Sequence, residues 1–98
     1  MLTKEEILQK LSIIKDKYKK DGIELIALFG SYAKDNYTPY SDIDIAYKID
    51  YNTFSKKYKD GFSKLLKIEE KKENLKSIFK RDIDLVPYNK KFKESIDV

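Results

Sequence analysis

Gly30-Ser31-Tyr32-Ala33-Lys34-Asp35-Asn36-Tyr37-Thr38-Pro39-Tyr40-Ser41-Asp42-Ile43-Asp44 joins two strands and carries the residues best suited to chemistry in this chain. It begins where the short, mostly apolar run Ile23-Glu24-Leu25-Ile26-Ala27-Leu28-Phe29 stops at a glycine, the pattern of a largely buried strand. It ends in Asp42-Ile43-Asp44-Ile45-Ala46-Tyr47, where acids alternate with isoleucines, the period-two pattern of a second strand. Between them Asn36 and Pro39 mark a polar, turn-rich connection.

Two features of this stretch point to phosphate and metal chemistry. Asp42 and Asp44 stand two apart on a strand, so both carboxylates leave one face with their Cα atoms roughly 6.5 Å apart. Carboxylates that close repel each other, and a divalent cation reverses the cost. An edge strand with solvated acids gives the same D-x-D pattern, so the pair alone decides little. Gly30-Ser31 adds to it. Glycine admits a phosphate close to the backbone, and the serine hydroxyl and following N–H groups can bind its oxygens. A phosphate cradle and metal ligands on neighbouring elements are what a nucleoside triphosphate needs.

Outward from this stretch, the helices are read from spacing. Thr3 with Glu6 has the form of a capping box, and Ile7, Leu11, Ile14 and Tyr18 recur at helical intervals, predicting an amphipathic helix over 3–20 that stops near Asp21-Gly22. Thr53 is placed to cap a second long helix with Phe54, Tyr58, Phe62, Leu65 and Leu66 as its apolar stripe, weakened locally by Gly61. Residues 71–79 read equally as helix or strand. Ile83-Asp84-Leu85-Val86 before Pro87 predicts a third strand, and Lys90 to Val98 a final short helix. Helices alternating with strands imply an α/β (α+β) domain, a mixed sheet covered by helices, with all of 1–98 in one unit.

Composition narrows the chemistry further. The chain has 98 residues, enough for one core and too few for a large substrate-recognition domain as well. With no cysteine and no histidine, disulfides, thiolate sites, the usual zinc sites and imidazole-based triads are excluded. Catalysis must run on carboxylates, lysine, hydroxyls or a hard cation such as magnesium held by oxygen. No apolar run approaches the ~18 residues of a membrane span, so a cytoplasmic address and no membrane partner are expected. The net charge of +4 comes from 20 lysines and Arg81 against 17 acids, a weak bias towards an anionic partner.

The 30–44 segment closely resembles the signature of the DNA polymerase beta-like nucleotidyltransferase superfamily, a Gly-Ser pair about a dozen residues before a Ser-Asp-x-Asp strand. The chain as a whole resembles its minimal nucleotidyltransferase (MNT) branch, small proteins usually paired with a HEPN-domain partner. The resemblance implies that Asp42 and Asp44 bind two Mg2+ ions and that Gly30 and Ser31 hold the triphosphate of ATP, with Lys34 and Ser41 beside them. A third carboxylate on a later strand completes one metal site. Asp82 and Asp84 are the candidates, and Asp84 is preferred because Leu85-Val86 follows it as in the family. Where the family commonly has Ala-Arg-Gly, this chain has Ala33-Lys34-Asp35, which gives up a forked donor and sets an acid near an anionic substrate.

The implied activity is transfer of AMP from ATP to a hydroxyl, with the antitoxin role of modifying a tyrosine on a HEPN ribonuclease toxin. The alternatives are a tRNA-modifying nucleotidyltransferase, a small-molecule transferase, which normally carries an added helical domain, and an antitoxin that acts by binding alone. The basic segment Lys64, Lys67, Lys71, Lys72, Lys76, Lys80 and Arg81 would be the RNA contact in the first alternative, and otherwise a solvated helix face. Tyr32, Tyr37 and Tyr40 crowd the loop, available for base stacking or for loop packing.

Overall fold

The computed structural model describes residues 2–89 and 95–98. In chain order the elements are α1 (Lys4–Lys20), β1 (Ile23–Phe29), β2 (Ile43–Ile49), α2 (Tyr51–Lys57), α3 (Gly61–Phe79), β3 (Ile83–Pro87) and β4 (Ile96–Asp97). The sheet runs β3-β2-β1-β4: β1 is antiparallel to β2 and to β4, and β2 is parallel to β3. It is a mixed sheet in a small single domain, as the alternation of elements implied.

The N-terminus of α1 forms as its sequence dictates. The Thr3 hydroxyl accepts the Glu6 N–H and donates to the Glu6 carboxylate, so orphan backbone donors are satisfied where the helix begins. Ile7, Leu11 and Tyr18 are buried against the sheet, with Ile14 partly buried at the rim. Emptying the Leu11 site to alanine would cost about 2–5 kcal/mol. Leu75 and Phe79 of α3 enter the same core beside Ile43, Ile45 and Ile83. The two helices touch through Tyr18, whose hydroxyl bonds Asn74 Oδ1 and the Lys71 carbonyl, so they lie side by side on one face. Burial pushes the Tyr18 phenol up to about 12, which keeps it a neutral donor there.

One ionic junction ties the three helices. Asp21, the C-cap of α1, accepts from Lys71 Nζ of α3 at 2.7 Å and from Lys57 Nζ of α2 at 2.9 Å. Lys71 is buried and also lies over the Tyr18 ring at 4.6 Å. The two ammonium partners, Lys71 foremost, pull the Asp21 carboxyl down to about 2. Gly22 follows at φ 88°, and a Cβ there would meet the backbone N of Phe54 at 2.7 Å, so the turn into β1 passes tightly over α2.

Three expectations are corrected. The second helix is two helices, because Asp50, not Thr53, caps α2 and Asp60 starts α3 afresh by accepting the Ser63 N–H at 2.7 Å. Phe54 is buried, but Phe62, Leu65 and Leu66 are exposed, since the break at 58–60 turns the start of α3 away from the core. The final helix over 90–98 is not borne out at its end, where Ile96–Asp97 is a strand added to the edge of β1; residues 90–94 lie outside those described. The segment 71–79, open between helix and strand, is the second half of α3. Among the described residues no helix is long and apolar enough to cross a membrane.

Candidate active site

β1 ends, and β2 and β3 begin, at one end of the sheet, so the topology carries all the chemistry-bearing residues of the sequence to that end. Phe29 pairs with Asp44 across β1–β2, and Asp44 with Asp84 across β2–β3. Period-two alternation sends Ile43 and Ile45 into the core and Asp44 to the opposite face, where Asp84 accompanies it in register. The β2 strand begins at Ile43, one residue later than its pattern suggested, and Asp42 is the exposed residue that leads into it.

Gly30 follows at φ 76°, a left-handed conformation that side chains disfavour. A Cβ at Gly30 would collide with the Asp44 carboxylate, so the glycine is required by close approach as well as by backbone geometry. From there the chain makes a single wide helical turn, Lys34 N–H to Gly30 O at 3.1 Å and Asn36 N–H to Ser31 O at 3.1 Å, but no regular helix. Ser31 therefore sits on a turn that begins against Asp44.

Asp44 is the electrostatically strained group. Partial burial raises its carboxyl to about 6, and the charges of Asp84 and then Asp42 push in the same direction. Both neighbouring acids thus act on Asp44. Among the described residues no three carboxylates are gathered into a ready-made metal cage. The donor set nevertheless fits a hard divalent cation: it is all oxygen, and it contains a half-desolvated acid whose like-charged neighbours a cation would offset.

The other predicted positions divide. Asp84, with its in-register partner, is better placed than Asp82, whose exposed carboxylate turns 3.8 Å from Lys76 Nζ while its carbonyl accepts the Ile43 N–H. Ser41 is already engaged, its hydroxyl accepting the Thr38 N–H at 2.8 Å to close the loop. Lys34 is exposed on the turn. Asp35 is tied to Lys4 at 2.8 Å and adopts φ 61°, the conformation a glycine would hold there. Its charge is therefore matched from α1. Tyr32 and Tyr37 stack at 4.3 Å with Tyr32 fully buried, which is loop packing; Tyr40 is 92% exposed.

Sequence reasoning missed a cleft. Tyr40, Ser41, Asp42 and Asp82 face Lys76, Lys80 and Arg81 across a hollow of about 410 Å³ beside the acids. The basic residues were visible in the sequence, but their approach to Asp42 follows from the parallel pairing of β3 with β2, which no local pattern announces.

A family model for the nucleotidyltransferase domain matches residues 7–97. The chain is also 40% identical over 95 residues to the "Putative protein adenylyltransferase MJ1379" of Methanocaldococcus jannaschii, covering 89% of this chain and 84% of that one. No solved structure matches it significantly.

Proposed function

The chain belongs to the nucleotidyltransferase domain family, and from that premise we propose that it transfers AMP from ATP to a protein hydroxyl, a tyrosine of a HEPN-type ribonuclease partner whose toxicity it thereby suppresses. The observation that carries the reading is the meeting of Gly30 with Asp44, which sets the turn that would hold the triphosphate directly against an acid in register with Asp84. The archaeal relative's name supports a protein as acceptor.

In this reading the turn at Gly30 and Ser31 holds the triphosphate, with Lys34 above it. Asp42, Asp44 and Asp84 would hold Mg2+, which supplies charge neutralisation for the triphosphate and a lowered pKa for the attacking hydroxyl. The tyrosine oxygen would form a bond to the α-phosphorus as the bond to pyrophosphate breaks, and Asp84 would take the phenolic proton. Asp44 is best suited to charge compensation, because its raised pKa makes it hungry for a cation. With no histidine in the chain, proton transfer falls to these carboxylates.

The RNA reading loses its main support. Lys71 is buried on Asp21, and Lys67 is paired with Glu70 at 3.0 Å, so the basic segment is not a continuous stripe. The test is to supply the protein, its partner and magnesium with ATP labelled on the α-phosphate or on the γ-phosphate. Label retained on the partner from α only is expected; label from γ would make the protein a kinase, and label from neither would remove transfer to protein.

A further inference from the structure

We propose that the cleft between Tyr40 and the Lys76–Lys80–Arg81 cluster is the docking site for an acidic peptide segment flanking the acceptor hydroxyl. The proposal rests on the adenylyl-transfer reading and adds to it the chemical class of the acceptor's neighbourhood.

Position comes first. Across the sheet the order is the Gly30 turn after β1, Asp42 and Asp44 at β2, and Asp84 on β3, with Asp82 just before β3 lying 3.8 Å from Lys76 in the last turn of α3. A triphosphate cradled at Gly30 occupies one flank of the acids. The proposal puts the acceptor on the other flank, where the cleft is lined by Asp42 and Asp82, the residues just before β2 and β3.

Its lining specifies the ligand. Lys76, Lys80 and Arg81 converge there, and Lys80 is turned into place by a left-handed conformation at φ 54° that ends α3 abruptly. Arg81 donates through Nη1 to the Lys80 carbonyl at 3.2 Å, while its Nε is buried with no hydrogen-bond partner among the described residues. A carboxylate in the cleft would meet the rest of the guanidinium fork, for which it is the best geometric match. Lys76 is held only loosely, at 3.8 Å from both Glu73 and Asp82, and can turn to a stronger partner. Tyr40, 92% exposed beside Pro39 on the opposite wall, offers an aromatic face to a side chain next to the acid.

The charge balance favours peptide over nucleic acid. Lys76, Lys80 and Arg81 face Asp42 and Asp82 in the same hollow, leaving a net charge near +1. One or two carboxylates satisfy that, whereas a polynucleotide needs a run of phosphate contacts, and the more N-terminal Lys67 and Lys71 are already engaged.

The experiment uses two fluorescent peptides with the same central tyrosine, flanked in one by Glu and Asp and in the other by Gln and Asn, and a single-stranded oligoribonucleotide of similar length. Binding to the full chain is read by anisotropy without ATP. The wild type should favour the acidic peptide by about tenfold, the worth of one charge-assisted contact. Lys80→Gln, an exposed change, and Arg81→Gln should each remove most of that preference, whereas Lys56→Gln on α2 should keep it. Equal binding of the two peptides, a preference unchanged in both cleft variants, equal loss in Lys56→Gln, or tighter binding of the RNA would each overturn the proposal. Acid-dependent binding without any transfer to protein would sink the reaction but keep the cleft, and transfer indifferent to flanking acids would do the converse.

Discussion

The carboxylate of Asp44 occupies the space into which a Cβ on Gly30 would project. Only a glycine lets β1 end this close to β2 while turning at φ 76°. Gly30→Ala should therefore lose at least about 1–2 kcal/mol from backbone conformation alone. It should also displace Asp44 and abolish magnesium-dependent ATP binding. Chemical denaturation and calorimetric titration check the two effects separately, and an alanine variant with normal ATP affinity would show that the approach is not functional.

The raised Asp44 carboxyl makes a pH prediction with a definite sign. Its folded pKa of about 6 lies above the ordinary 3.8, so the folded state binds the proton more tightly. That contribution to stability is present below about pH 4 and is lost as pH rises through about 6. Without divalent cations, wild type should lose melting temperature from pH 5 to pH 7.5 relative to Asp44→Asn. Magnesium with ATP should restore it, more at pH 7.5 than at pH 5. Parallel profiles for the two proteins would contradict the assignment of strain to Asp44.

Asp21 predicts the opposite slope at acid pH. Its carboxyl is held at about 2 by Lys71 and Lys57, so the stability it supplies is present above about pH 4 and fades as pH falls through about 2. Asp21→Ala leaves Lys71 buried without its partner and should cost about 3 kcal/mol in urea unfolding at neutral pH. Lys71→Met, which replaces the ammonium with apolar volume, should cost clearly less. Equal costs would mean that the junction is not held by charge.

Strands β1, β2 and β3, α1 and the acids were legible in the sequence because each repeats a pattern within a few residues. The period-two acids of β2, the Thr3–Glu6 cap and the Ile83–Val86 run are of this kind. The split between α2 and α3 was harder, because Thr53 and Asp50 are both good caps and only the pairing of β2 decides where the strand stops. Asp50 takes the role by accepting from Asn52 N–H and from the Thr53 hydroxyl, so the expected cap serves the real one. Phe62, Leu65 and Leu66 imitate an apolar stripe but face outward once the helix is broken at 58–60. β4 has two residues, too few to show any period; it exists because the edge of β1 offers it a partner.

The departure at Lys34-Asp35 has a changed meaning in the fold. Asp35 is neutralised by Lys4 and holds a glycine-like φ, so Asp35→Gly relieves backbone strain while giving up an exposed ion pair. Its stability should change by less than about 1 kcal/mol. Lys34→Arg alone should tighten ATP binding by adding a forked donor at the mouth of the turn. Weaker binding in the arginine variant would mean that position 34 does not face the triphosphate.

The measurement closest to the central claim is the intact mass of the proposed HEPN-type partner after incubation with this protein, ATP and magnesium. The account predicts that wild type adds one or more AMP units to a partner tyrosine and silences the ribonuclease. It also predicts that Asp44→Ala, still bound to the partner, leaves its mass and its activity unchanged. An Asp44→Ala protein that protects cells as well as wild type, with no mass added to the partner, would contradict it and make binding alone the mechanism.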